Sequence, residues 1–132
     1  MTYHLQIVTP NGLVFDGQAV RLTVPTIDGQ VGILARHINY VTAIGMGMAK
    51  LVMEDEERTA ACIGGMLAVT DGEVKLLATS FEWANEIDTQ RARISLEKGE
   101  AVLADPNADE QERQYAAARV KRAKVRLSVA KE

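Results

Sequence analysis

Asp88, Arg91, Arg122 and Arg126 are the residues of this chain whose types and spacing could do chemistry together. Arginine suits polyphosphate, because its guanidinium stays charged and donates two parallel hydrogen bonds. Arg122 and Arg126 share a helix face at i, i+4. If the chain reverses around Pro106-Asn107 as an antiparallel helical hairpin, positions whose numbers sum to about 213 come level. Arg91 then stands level with Arg122, and Asp88 with Val125 and Arg126. Asp88 could orient Arg91 or accept from a base or a ribose. A helix that starts there also offers free N–H groups to an anion. The alternative is wholly structural: Asp88 caps a helix and the arginines form a solvated face. Like charges brought together favour an anion or a partner between them, and spacing alone leaves both readings open.

No catalytic motif accompanies this group. The sequence has no G-x-x-x-x-G-K-[ST] phosphate loop and no G-x-S-x-G elbow. His4 and His37 lie far apart, and two histidines with one cysteine make a poor metal set. Gly64-Gly65 is too short for a phosphate cradle and marks a bulge or a close backbone approach in a β-run. Met46, Met48, Met53 and Met66 read as core packing, with an adaptable docking surface as the alternative.

The elements that must position these residues fall into two modules, 1–84 and 85–132. The first reads as β-structure. Leu5 and Ile7 alternate with polar neighbours before a Pro10-Asn11-Gly12 turn, and Val20, Leu22 and Val24 alternate up to Pro25. Asp28-Gly29 and Asp71-Gly72 are turn signals. Further strand-like runs cover Met46–Met53, Ala60–Ile63, Met66–Val69 and Val74–Ala78, with an acidic turn at residues 54–57. Short strands without intervening helices predict a sandwich or a barrel. After Trp83 the period changes. Asp88 suits a helix N-cap, and Ala92, Leu96, Gly99 and Leu103 form one stripe. Asp105-Pro106-Asn107 breaks that helix, and Asp109 with Glu112 makes a capping box for a second one. Ala116, Val120, Ala123, Leu127 and Ala130 form the facing stripe. These residues are mostly small, so the two helices can approach closely but bury little apolar area, and the hairpin is held weakly.

Charge is divided unevenly between the modules. Residues 1–84 carry five basic and nine acidic side chains, whereas residues 85–132 carry ten and nine. Arg113 to Lys131 contains seven basic residues and no acidic one, a stretch that could meet an acidic surface, a nucleic acid or a polyphosphate. A pI near 5.4 and the lone Tyr115 beside that stretch argue against nucleic acid. The sequence offers no apolar run of about 20 residues for a bilayer span and no secretory signal at its start. With a single cysteine, Cys62, it reads as a cytoplasmic protein without direct membrane insertion.

Ordered strings along the chain carry a family resemblance. They are Ile7-Val8-Thr9-Pro10-Asn11-Gly12, Val31-Gly32-Ile33-Leu34 before His37, Gly64-Gly65, Ile87-Asp88-Thr89-Gln90-Arg91-Ala92, and Arg126-Leu127-Ser128-Val129-Ala130. Together they resemble the epsilon subunits of bacterial and chloroplast ATP synthases over the whole length. The family's usual Gly-Ile-Leu-Pro-Gly-His appears here with Ala35-Arg36 in place of Pro-Gly. The resemblance implies a non-catalytic subunit with an N-terminal β-sandwich and a C-terminal two-helix hairpin. The sandwich would bind the gamma subunit and the membrane rotor c-ring, with residues 28–37, including Gly32 and His37, as the ring-facing loop. The hairpin would extend along gamma to the alpha and beta subunits and inhibit ATP hydrolysis, with Arg113, Arg119, Lys121 and Lys124 meeting acidic residues of beta.

The Ile-Asp-x-x-Arg-Ala string resembles the ATP-binding motif of bacillus-type epsilon subunits. Carried over by position, the implied ligand set is Glu82, Ile87, Asp88, Arg91, Ala92, Arg122 and Arg126, with Lys98 where those relatives carry arginine. ATP, with or without magnesium, would act as a regulatory ligand that holds the hairpin folded. The complex would sit at the cytoplasmic face of a bacterial cell membrane, with this subunit peripheral to it. A subunit of the same complex whose helices never move is the remaining alternative.

Overall fold

In the computed structural model, which describes residues 1–131, the chain divides into two compact units, Met1–Trp83 and a second from Ala84 onward. The last residue of the 85–132 module lies outside the described residues.

The first unit is a β-sandwich of eight strands: β1 (Tyr3–Thr9), β2 (Gly12–Ala19), β3 (Arg21–Thr26), β4 (Gly29–Leu34), β5 (Tyr40–Ala43), β6 (Met46–Val52), β7 (Glu57–Thr70) and β8 (Glu73–Trp83). Hydrogen bonding runs in the order β2-β1-β8-β7-β6-β3-β4, and β5 also pairs with β7. All neighbours are antiparallel except β1 and β8. The long β7–β8 ribbon belongs to both layers. Its turn-proximal half pairs with β5 through Met66–Val69 and with β1 through Val74–Leu77. Its other half pairs with β6 through Glu57–Ile63.

Burial parity records the crossing between layers. On β7 the core residues are Ala60 and Cys62, then Leu67 and Val69. On β8 they are Val74, Leu76 and Ala78, then Phe81 and Trp83. Each strand changes from one parity to the other near its middle, so the inward side chains swap faces there. The change on β7 falls at Gly64-Gly65, whose φ angles are 69° and 123°. The pairing register with β8 does not shift across them, so the glycines mark a bend and a close approach and not a bulge. The runs 60–63 and 66–69, read as separate strands, are therefore one bent strand. Sandwich corners are made by strands that switch layers at such bends. Tyr3 ties the layers together elsewhere: its buried hydroxyl donates to the Ile33 carbonyl at 2.7 Å.

Two local expectations change. The segment 28–37, read as one ring-facing loop, holds strand β4 with a turn at each end. Full pairing of Arg21–Thr26 with Gly29–Leu34 makes it a strand. Asp28 and His37 thus flank its six residues, about 20 Å apart. Arg36 takes φ 64°, at the position where the family string carries glycine. The turn is kept by a residue with a Cβ, at a cost of about 1 kcal/mol.

An ionic clasp on the first layer went unread in the sequence. His4 on β1 places Nε2 2.5 Å from Asp16 on β2 and Nδ1 2.6 Å from Glu73. Two carboxylates at both ring nitrogens call for both N–H groups, hence the imidazolium. The hydrogen bonds to Asp16 and Glu73 raise the His4 pKa, and the bond from His4 lowers that of Asp16. Burial pushes the Cys62 thiol up to about 12, so it is an inert core residue and not a nucleophile.

Two outcomes follow from this packing. A Cβ on Gly65 would lie 2.0 Å from the Leu77 carbonyl oxygen and 2.7 Å from Ala78 Cα. Gly65→Ala should lower unfolding free energy by about 2–4 kcal/mol in urea titrations. For the clasp, a raised His4 pKa contributes stability that is complete below the ordinary value of 6.5 and lost as pH rises through the folded value. The Asp16 share is present above 3.8 and lost as pH falls through its lowered value. The stability gap between wild type and His4→Ala should be widest at about pH 5–6 and narrow towards alkaline pH, read as Tm against pH.

Candidate functional site

The second unit begins with a short 3₁₀ turn, Ala84–Glu86, followed by α1 (Thr89–Ala104) and α2 (Glu110–Ala130). Asp88 caps α1, its Oδ1 accepting from the Arg91 backbone N–H at 3.0 Å. Asp109 caps α2 through the full capping box with Glu112. Between the helices Asp105 Oδ1 accepts from the Asn107 N–H at 2.9 Å. Arg113 closes the reversal. Its guanidinium donates to the carbonyls of Leu103, Asp105 and Ala108 at 2.7–3.2 Å. It thereby satisfies carbonyls at the end of α1, which helices otherwise leave unpaired.

Small residues set the distance between the helices. Ala92 and Gly99 on α1 and Ala116, Val120 and Ala123 on α2 are buried. A Cβ on Gly99 would meet Val120 Cγ2 at 2.7 Å and the Ala116 carbonyl at 3.1 Å. The leucines of the predicted stripes sit less deeply. Leu96 and Leu127 are half-buried and Leu103 is exposed, whereas Val129, outside the stripe, is buried. Contact at this distance is made by backbone and methyl groups, which leaves long side chains at the margins.

One margin gathers five of the unit's cations. Arg91, Ser95, Lys98 and Val102 follow one another at helical spacing on α1. Glu112, Tyr115, Arg119, Arg122 and Arg126 do the same on α2. The two rows meet where Arg119 Nε donates to Ser95 Oγ at 2.8 Å. The numbers of that pair sum to 214, which places Arg91 opposite residue 123, beside Arg122. Lys98, Gly99, Val102, Glu112, Tyr115, Ala116 and Arg119 line a cleft of about 230 Å³ in the same groove.

Among the residues of the implied ligand set, Arg91 and Lys98 are exposed, Arg122 and Arg126 half-buried, and Ile87 and Ala92 buried. Glu82 lies on β8 in the first unit, half-buried. Of the basic residues read as partner-binding, Arg113 and Arg119 make hydrogen bonds inside the hairpin. Lys121 and Lys124 are exposed. Gly32 is exposed on β4. His37 is half-buried, donating from Nδ1 to the Ile38 carbonyl at 2.9 Å, with its ring 5.7 Å from that of Tyr40.

The sandwich presents a second feature. Cross-strand partners Ala43, Met66, Leu77, Val8 and Leu13 form an apolar row across β5, β7, β8, β1 and β2. Met66, Leu77 and Leu13 are 47%, 45% and 60% exposed. Val41, two residues along β5 from Ala43, extends the row at 64% exposure. No period in the sequence distinguished this row, because its members come from five strands.

The chain matches the family described as ATP synthase, Delta/Epsilon chain, beta-sandwich domain over residues 2–84. It is 36% identical over 130 residues to the ATP synthase epsilon chain of Shouchella clausii, covering 98% of this chain and 96% of that relative. It is 33% identical over 103 residues to the chloroplastic ATP synthase epsilon chain of Piper cenocladum, covering 78% and 77%. The fold is also similar to a chain of the Euglena gracilis mitochondrial ATP synthase, with a TM-score of 0.83 at 22% identity, covering 97% of this chain and 80% of that one. A chain of the Tetrahymena thermophila mitochondrial ATP synthase central stalk and c-ring gives 0.66 at 14%, covering 96% and 95%. This chain belongs to the ATP synthase epsilon-chain family.

Proposed function

We propose that this chain is a non-catalytic subunit of the central stalk of a rotary, proton-translocating ATP synthase, and that its hairpin regulates ATP hydrolysis. The apolar row on the outer sandwich face is the surface for gamma. Contiguous exposed apolar rows of this kind mark protein interfaces. The strand and turns over residues 28–37 serve the c-ring. Exposed Leu34 within that segment and Ile27 and Ile38 beside it, 55%, 74% and 76% accessible, are the apolar contacts available there. No helix among the described residues is long and apolar enough to cross a membrane. On this reading the subunit sits at the cytoplasmic face of a bacterial cell membrane as a peripheral part of its complex.

The observation that carries the regulatory reading is the hairpin interface, where Gly99, Ala92, Ala116 and Ala123 meet beside Val120, and Ile87 and Val129 are the other buried apolar residues of the unit. Burial of so few methylene groups stabilises the folded state only modestly. Opened, the hairpin offers α2 and its cations to acidic surfaces of alpha and beta, and extended along gamma it blocks hydrolysis. Folded, it brings Arg91, Lys98, Arg122 and Arg126 along one groove, a charge density that an ATP polyphosphate neutralises. Asp88 lies at the α1 end of that groove, where a carboxylate accepts from a ribose hydroxyl or an adenine amine. ATP at one hundred times its Kd would favour the folded state by about 2.7 kcal/mol. High ATP thus lifts the brake, and falling ATP applies it.

Calorimetric titration of the isolated chain should show saturable ATP binding that is weaker for ADP and lost in Arg91→Ala. Equal affinity for ATP in wild type and Arg91→Ala would remove the nucleotide from the regulation and leave the stalk assignment in place.

A further inference from the structure

The Arg119–Ser95 hydrogen bond links the two rows of the groove, yet neither residue belongs to the nucleotide set carried over by family motif. Arg119 uses its Nε–H on Ser95. The two terminal nitrogens of a guanidinium bound that way still hold four N–H groups in a fixed plane. Arg119 also lines the cleft, together with Lys98. Arg119, Arg122 and Arg126 follow at i, i+3 and i+7, so the three guanidinium groups form one row on α2.

The hairpin sets the distances along the groove. Ser95 is seven residues beyond Asp88, about 10 Å along the helix axis. A nucleotide whose base and ribose lie near Asp88 and Ile87 therefore runs its phosphates past Arg91 and Arg122 towards Lys98 and Arg119. The cleft's one carboxylate, Glu112, is turned to its own cap, accepting from the Asp109 N–H at 3.3 Å. Tyr115, 70% exposed, borders the cleft without adding charge.

We propose that Arg119, oriented by Ser95 across the helix pair, binds the terminal phosphate of the nucleotide and sets the groove's preference for a triphosphate. The inference rests on the ATP reading of the same groove. It adds a phosphate contact that exists only when the helices are folded together, because Ser95 and Arg119 come from different helices. The terminal phosphate is then the part of the ligand that senses hairpin closure, and Ser95 is a positioning residue.

The test is calorimetry on the full chain with ATP, ADP and AMP, for wild type, Arg119→Ala, Arg119→Lys, Ser95→Ala and Arg91→Ala. Arg119→Ala should weaken ATP about tenfold while leaving AMP unchanged, so that the ATP-to-ADP ratio of affinities falls. Arg119→Lys should recover part of that loss, having the charge without the fork. Ser95→Ala should lower the same ratio by a smaller factor. AMP binding serves as the control that each variant is folded. An equal loss for ATP, ADP and AMP in Arg119→Ala would make the residue a bridge between helices only and overturn the proposal. So would unchanged ATP affinity in Arg119→Ala beside lost affinity in Arg91→Ala, which would leave the ATP reading standing. Absence of binding of any of the three nucleotides to the wild type would overturn both.

Discussion

Everything in the sandwich depends on two backbones touching at one point. Gly65 lies against the carbonyl of Leu77 so closely that no side chain fits between them. This contact lets the β7–β8 ribbon bend without losing its register and pass from one layer to the other. Because the ribbon bends, β1 and β5 can pair with one half of it and β6 with the other. The core between the layers is then filled from both halves: Leu67, Val69, Val74 and Leu76 on one side of the bend, Ala60, Cys62, Phe81 and Trp83 on the other. The exposed apolar row runs across the first layer, so its continuity over five strands derives from the same bend.

Close approach governs the second unit as well, with a different consequence. In the sandwich, glycine admits a contact that is surrounded by large buried side chains such as Leu5, Ile7, Leu22 and Leu76. In the hairpin, Gly99 admits a contact whose neighbours are alanines and one valine. The first arrangement buries enough apolar surface to be rigid. The second holds its geometry through caps and the Arg113 and Arg119 bridges, which are polar and exchange readily with water. A rigid sandwich joined to a helix pair of low intrinsic stability suits the proposed subunit, which would stay attached through the first unit and move through the second.

Much of this was legible in the sequence. Helix caps at Asp88 and Asp109, the break at Asp105-Pro106, and the inter-helix register followed from short-range chemistry, and the observed Arg119–Ser95 pair differs from the expected register by one. Strands with one buried face, such as β1 and β3, showed their alternation. Strands β2 and β5 did not, because β2 is an edge strand that buries only Ala19 and β5 has four residues, none of them fully buried. The clasp of His4 with Asp16 and Glu73 was invisible for another reason: its members come from three strands, and only the β1–β2 and β1–β8 registers bring them together. The groove's outer residues were half legible. Arg122 and Arg126 announced themselves by spacing, whereas the bond of Arg119 to Ser95 spans 24 residues and left no short-range signal.

Regulation of this kind requires that ATP hold the hairpin closed. Amide hydrogen exchange on the isolated chain, with and without saturating ATP, measures that directly. Amides of α1 and α2 facing each other around Ala92, Gly99, Ala116 and Ala123 should exchange more slowly with ATP than with AMP, while β7 and β8 keep their rates. Identical helix exchange with ATP, with AMP and without nucleotide would contradict the account.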